Sequence, residues 1–205
     1  MIKRISEQKT VVFTIGHSTR TIAEFIEIIK AYGIQQVVDI RTIPRSRYTP
    51  QFNEDTIKES LRAVKIGYLH MKGLGGLRHA LKDSLNRGWK NASFRGFADY
   101  MQTRDFDESL EKLIETAAKR ATVIMCAEAV PWRCHRSLVG DALLVHSVQV
   151  RDIISVNSSR DHSLTPWAKV EGGKIIYPAE LGAQDTAKPI KAKSGIMLPV
   201  RRISQ

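Results

Sequence analysis

The sequence is poor in cysteine and has no long apolar segment. Two cysteines in 205 residues are too few for a disulfide framework, and no apolar run approaches the roughly 20 residues that span a bilayer. The first residues, Met1 to Glu7, lack the apolar core of a secretory signal. These absences argue against a secreted or membrane-spanning protein. We therefore expect a cytoplasmic protein without membrane association.

Basic residues outnumber acidic ones, with 32 Lys and Arg against 21 Asp and Glu and a formal net charge of +11. Residues 186–205 contain basic charges and no acidic one, but the rest of the chain is basic as well. A basic balance favours an anionic partner, either a small molecule such as a nucleotide or a nucleic acid, although the same charge can serve solubility alone. The composition predicts no particular oligomeric state.

Strand and helix periodicities alternate through most of the chain. Short, largely β-branched apolar runs predict five strands, at residues 11–15, 36–40, 66–70, 121–126 and 148–154. Amphipathic helical patterns separate them, and strand–helix–strand units form right-handed crossovers between parallel strands. The predicted fold is α/β: an open, mostly parallel, doubly wound sheet of about five strands with helices on both faces, formed by residues 11–154.

Three segments depart from this regular alternation. The connection at residues 71–105 is long for a crossover and contains a short helical pattern near 77–85, which predicts a lid-like insertion over the carboxyl edge of the sheet. Residues 155–181 predict a small β-hairpin appended to the domain. Residues 182–205 lack periodicity, which predicts a flexible basic tail.

Polar side chains cluster where the predicted strands end. In a parallel sheet the loops after the strands share one edge, and ligands usually bind there. The segment 122–136 contributes most, because it joins a buried strand, a turn with Pro131 and a helix start, and it contains both cysteines. The candidate site residues are His17, Ser18, Asp39, Arg41, Ser46, Gly75, Gly76, Glu128, Arg133, Cys134, His135 and Arg136.

The first hypothesis is an enzyme, a hydrolase or transferase, acting on a phosphate-bearing substrate such as a nucleotide or nucleic acid. Guanidinium groups near a helix N-terminus bind phosphate well. The expected anion-binding residues are Arg41, Arg133, Arg136, Ser18, Asp39, Ser46, Gly75 and Gly76. Strand alternation places Asp39 and Arg41 on the same side, so Asp39 would position Arg41.

The expected acid–base chemistry of this enzyme rests on Glu128. Partial burial would tune a carboxyl group for general acid or base catalysis. His17 and His135 would transfer protons or orient groups. Cys134 is the remaining candidate catalytic residue, through its thiol.

The cysteines support a second hypothesis, a thiol-based transferase. A helix N-terminus with flanking arginines would lower the pKa of Cys134, whereas Cys126 ends an apolar strand and is either a nucleophile or a small buried hydrophobic residue. Zinc bound by Cys126, Cys134, His135 and His17 is a further alternative. The chain has no paired C-x-x-C element, so no cofactor and no metal are predicted.

A third hypothesis needs no catalysis. The basic surface and the basic tail together would suit a nucleic-acid-binding protein whose affinity falls steeply with salt. Truncation after Gly182 would then weaken binding more than Glu128→Gln.

Five short motifs follow one another between Val11 and Ile154. They are Thr14–Ser18, Val38–Arg41 with Pro44 and Ser46, Leu74–Gly76, Gly96–Phe97 with Tyr100–Met101, and Cys126–Glu128 with Pro131 and Cys134–Arg136. In this order they resemble the family called domain of unknown function 488. The resemblance implies an α/β fold and a bacterial or archaeal cytoplasmic protein, and it implies no particular reaction.

Overall fold

A computed structural model describes residues 10–179 of the chain. Its main sheet comprises β1 (Val11–Gly16), β2 (Gln36–Asp39), β3 (Gly67–His70), β4 (Thr122–Cys126), β5 (Gln149–Ser155) and β6 (Ser158–Asp161). The strand order is β3-β2-β4-β1-β5-β6, and only β6 runs antiparallel to its neighbour. The predicted parallel α/β sheet is confirmed. β6 is an addition, because the pattern of residues 155–181 predicts only a hairpin.

Helices cover both faces of the sheet, as predicted. They are α1 (Ile22–Ala31), α2 (Glu54–Ala63), α3 (Ala92–Tyr100), α4 (Arg104–Lys119) and α5 (Arg136–Val145). α1 and α2 pack with Val37 and Val123 on one face, whereas α3, α4 and α5 pack with Val38 and Ile124 on the other. The chain crosses the sheet in one direction from β1 to β3 and returns from β3 to β5, so right-handed connections place the two groups of helices on opposite faces.

Local sequence signals account for the start of α1. The Thr21 hydroxyl accepts a hydrogen bond from the Glu24 backbone N–H, and the Glu24 carboxylate accepts one from the Thr21 N–H, which completes a capping box. This cap begins the helix immediately after the loop that follows β1. Within the described part of the chain, every helix is too short or too polar to cross a lipid bilayer.

The helix expected near residues 77–85 is wrong, since this segment forms a loop. Its apolar side chains Leu77, Leu81 and Leu85 are exposed rather than packed on the sheet. The buried Asp99 carboxylate instead accepts hydrogen bonds from Leu81 N at 2.9 Å, Ser84 Oγ at 2.6 Å and Asn86 Nδ2 at 2.8 Å. These hydrogen bonds to Asp99 of α3 provide partners for polar groups of the segment in a non-helical conformation.

A buried ionic network anchors the segment after β5. His162 Nε2 lies 3.0 Å from Asp141 Oδ1 in α5, and its Nδ1 lies 3.2 Å from Asp152 Oδ2 in β5. Burial lowers the pKa of His162, but the two carboxylates outweigh it and raise the pKa to about 9. Beyond it, β7 (Lys169–Glu171) and β8 (Lys174–Ile176) form the predicted small hairpin. The predicted basic tail, 182–205, lies outside the described residues.

Candidate functional site

The carboxyl ends of β1, β2 and β4 lie level with one another at the centre of the sheet. Gly16 pairs with Cys126, and Asp39 pairs with Met125. The connection after β1 leads to α1 on one face, whereas that after β4 leads to α5 on the other. Adjacent strands whose connections diverge in this way leave a crevice between them, which is the usual ligand site of an open α/β sheet.

A pocket of about 620 Å³ occupies this crevice, a volume within the range of small-molecule sites. It brings together most of the residues proposed from the sequence. Those lining it are His17, Ser18, Arg41, Gly76, Cys126, Glu128, Arg133, Cys134 and His135. Asp39, Ser46, Gly75 and Arg136 do not line it.

A buried triad supports one wall of the pocket. Asp39 accepts from Arg41 Nε at 2.9 Å, and Arg41 Nη1 donates to His17 Nε2 at 3.2 Å. His17 Nδ1 lies 2.9 Å from the Ser18 carbonyl oxygen. A carbonyl only accepts and a guanidinium only donates, so the proton of His17 is on Nδ1 and the ring is neutral. Burial, together with the charge of Arg41, lowers the pKa of His17, in agreement with that state.

The loop after β2 completes this support. Phe52 stacks on the His17 ring at a centroid distance of 4.2 Å, and its carbonyl oxygen accepts from Arg41 Nη2 at 2.7 Å. Arg41 therefore uses most of its N–H donors in hydrogen bonds within the protein, and the Asp39 carboxylate neutralises its charge. One N–H of Nη1 remains for a ligand, and the imidazole of His17 serves mainly to fix Arg41 in place.

Two sulfur atoms and one imidazole meet at the floor of the pocket. His135 Nδ1 lies 4.0 Å from Cys126 Sγ and 3.8 Å from Cys134 Sγ. Neither cysteine forms a disulfide bond within the described residues. The neighbouring Cys134 thiol, aided by His135 and Arg136, holds the pKa of Cys126 well below its usual value, while the same proximity and burial raise the pKa of Cys134.

Arg136 lies beneath the pocket rather than in its wall. Its side chain is fully buried and donates to the carbonyl oxygens of Glu128 and Ala129, the second at 2.8 Å. Gly16 leaves room for this arrangement, since an added Cβ would overlap the Glu128 carbonyl and lie 2.9 Å from Arg136 Nη1. The direct anion contact expected of Arg136 is therefore not made from this position, and the guanidinium instead supports the turn after β4.

Glu128 and Arg133 reach the pocket from that turn. Both side chains are exposed. The prediction that partial burial tunes the carboxyl group of Glu128 is therefore wrong. Glu128 Oε1 lies 3.4 Å from the backbone nitrogen of Val130. Within residues 10–179, Arg133 forms no ion pair with a carboxylate. Its charge is therefore available to a ligand.

The small residues of the expected anion site separate into two groups. Ser18, in the pocket wall, has a φ of 50°, which is uncommon for a residue other than glycine. Ser46 caps its own loop by accepting from the Tyr48 and Thr49 N–H groups. Gly75 packs against Thr42 behind the pocket wall.

The start of α5 is not open to an anion either, since its second and third N–H groups already donate to the carbonyls of residues 134 and 135.

Some lining residues had no signal in the sequence. They are Thr19, Thr42, Ile43, Thr49, Leu77, Ser93 and Ala129. Ile43 and Leu77 are exposed by 63% and 69%, so the pocket rim is apolar. These residues are of ordinary type and belong to no motif that could have identified them as part of a site.

The fold and site together define a parallel α/β domain with a ligand pocket at the carboxyl edge of its central strands. The family model described as Domain of unknown function DUF488 matches residues 21–143, which is more than half of the chain. The chain therefore belongs to the DUF488 family, as its motifs suggest. Searches of the curated proteins and of the solved structures found no match.

Proposed function

We propose that the pocket is the active site of an enzyme that binds a small anionic substrate of the nucleotide class. One observation carries the proposal: polar groups from the ends of β1, β2 and β4 and the start of α5 all reach a single crevice. Active sites of open α/β sheets are assembled in this way from separate loops.

The pocket offers complementary surfaces to the two parts of a nucleotide. Arg133 supplies an exposed guanidinium for a phosphate group. Ile43, Leu77 and Phe94 supply apolar and aromatic surface on which a base can pack. The net charge of +11 favours the approach of such an anion.

Glu128 is the acid–base group in this proposal. It lies in the pocket wall on the same turn as Arg133, so a substrate phosphate held by Arg133 would lie next to the carboxylate. The Asp39–Arg41–His17 triad gives rigid support and one guanidinium N–H, without itself transferring protons.

Two variants with matched controls test this proposal. Arg133→Ala should weaken nucleotide binding about 10- to 100-fold, the loss expected of one charge-assisted contact. Glu128→Gln should retain binding and abolish turnover. The controls are Arg62→Ala and Glu115→Gln, which change side chains on α2 and α4, away from the pocket.

Binding is measured by fluorescence anisotropy with a panel of labelled nucleotides and short oligonucleotides. If the wild-type protein binds none of them, the proposal is overturned. If removal of residues 183–205 abolishes binding while Arg133→Ala has no effect, the chain is a non-catalytic nucleic-acid binder instead.

A second candidate function is thiol-based transfer at Cys126. Its sulfur lies at the floor of the pocket, 4.0 Å from the His135 nitrogen that can accept a proton. This function requires iodoacetamide to modify Cys126 in metal-free protein, and a substrate to protect it. An unreactive Cys126 would contradict it.

A further inference from the structure

We propose that Cys126, Cys134 and His135 bind a zinc ion whose fourth coordination position opens into the pocket. Their ligand atoms lie within 4.8 Å of one another. A tetrahedral zinc with bonds of about 2.3 Å to sulfur and 2.0–2.1 Å to nitrogen separates its ligand atoms by about 3.5–3.8 Å. The distances of His135 Nδ1 to the two sulfurs, 3.8 and 4.0 Å, are close to this geometry.

The hydrogen bonding of His135 prepares it as a ligand. Its Nε2 lies 3.1 Å from the Ile40 carbonyl oxygen, which can only accept, so the ring proton is on Nε2. The lone pair of Nδ1 is consequently available next to the two sulfurs. A backbone carbonyl that holds the second N–H is the usual outer partner of a metal-bound histidine. Phe97 packs edge-on against the ring at 5.0 Å and further restricts it.

Gly76 packs closely against the His135 ring beside Nδ1. A Cβ added at this position would overlap Nδ1 of His135 and lie 2.6 Å from Cγ. Since Gly76, Cys126 and His135 all line the pocket, an ion at this point would face the ligand space. Three protein ligands with one open position are typical of catalytic rather than structural zinc sites.

His17 does not complete the coordination, although it shares the pocket. Its Nδ1 donates to the Ser18 carbonyl and its Nε2 accepts from Arg41, so neither ring nitrogen is available. The fourth ligand must therefore come from the pocket, as water or as a group of the substrate.

The charges around the cluster favour an anion at that position. A divalent ion and two thiolates cancel, and the imidazole is neutral. Arg136 adds a buried positive charge that forms no ion pair with a carboxylate in the described part of the chain, and its Nε–H is buried without a partner there. Hydroxide or an anionic substrate group would balance this charge. Thiolate and imidazole ligands favour zinc over magnesium or calcium.

Metal titration of the 205-residue chain, reduced and treated with a chelator, tests the proposal without any substrate. We expect equilibrium dialysis to give one zinc ion per chain. We expect cobalt(II) to give the thiolate-to-metal charge-transfer bands of sulfur coordination. Cys134→Ser and His135→Gln should each weaken zinc binding by more than the roughly 10- to 100-fold cost of losing an outer-shell partner. His17→Gln and the exposed His146→Gln should retain it.

A second measurement uses the wild-type chain alone, in case a ligand variant fails to fold. Zinc should protect both cysteines from iodoacetamide, and chelation should remove that protection. The proposal is overturned if dialysed protein contains no stoichiometric zinc, if the cobalt complex lacks thiolate bands, or if Cys134→Ser binds zinc normally. A failure of nucleotides to bind would contradict the proposed function and leave the metal site intact.

Discussion

Nε2 of His135 lies 3.1 Å from the carbonyl oxygen of Ile40, a residue 95 positions earlier in the chain. This contact joins the end of β2 to the start of α5. It also determines which nitrogen of the ring faces Cys126 and Cys134. The chemistry of the pocket floor therefore depends on a backbone group from a different βαβ unit.

Replacement of Gly76 should affect both the cluster and the stability of the fold. In Gly76→Ala the new methyl group would overlap Nδ1 of His135 and displace the ring from the two sulfurs. We expect zinc affinity to fall more than about tenfold, and the free energy of unfolding to fall by about 1–3 kcal/mol. Cobalt titration and urea unfolding measure the two effects, and Leu77→Ala at the exposed rim is the control. Normal cobalt affinity in Gly76→Ala would contradict the proposed ligand geometry.

Replacing Arg136 should lower the free energy of unfolding far more than replacing Arg133. Arg136→Ala removes a fully buried guanidinium that donates to Glu128 and Ala129 carbonyl oxygens, and we expect it to lower the free energy of unfolding by about 2–4 kcal/mol. Arg133→Ala changes an exposed side chain, and its effect on stability should stay within about 0.5 kcal/mol. Urea unfolding of both variants is the measurement. Equal stabilities would mean that the buried guanidinium does not support the turn.

His162 should make stability depend on pH on the alkaline side. Its pKa in the folded protein is about 9, above the value of about 6.5 in an unfolded chain. The stabilisation is therefore fully present below pH 6.5 and is lost as pH rises through 9, with a total of about 3 kcal/mol. Urea unfolding between pH 6 and 10 should show this loss in the wild type and in the control His146→Gln, and a flatter profile in His162→Gln. Parallel profiles for His162→Gln and the wild type would count against the ionic network.

His17 should stay neutral near physiological pH. Burial and the neighbouring Arg41 lower its pKa, and its proton is on Nδ1. A group whose folded pKa is lowered from about 6.5 stabilises the protein above that value and loses this stabilisation as pH falls below it. Nitrogen-15 NMR of labelled histidine should find the neutral Nδ1–H tautomer at physiological pH. An imidazole that titrates near 6.5, or a proton on Nε2, would disagree with the triad.

Much of the framework follows from the sequence alone. The spacing of apolar residues in 11–154 determines five parallel strands and the helices between them. Whether a side chain faces the core follows a repeat of only a few residues, so this pattern can be read from the local sequence. The Thr21–Glu24 capping box begins α1 through contacts three residues apart. Placing polar residues after parallel strands also brings most of the candidate site to one edge.

Only the tertiary structure decided which of those residues face a ligand. Arg133 and Arg136 have the same side chain and lie three residues apart, yet one lines the pocket and the other is buried against the turn after β4. The loop at 77–85 likewise depends on Asp99, and the proton positions of His17 and His135 depend on Ser18, Arg41 and Ile40. The direction of a long polar side chain depends on its hydrogen-bond partners, which are often remote in sequence. Local sequence patterns do not identify those partners.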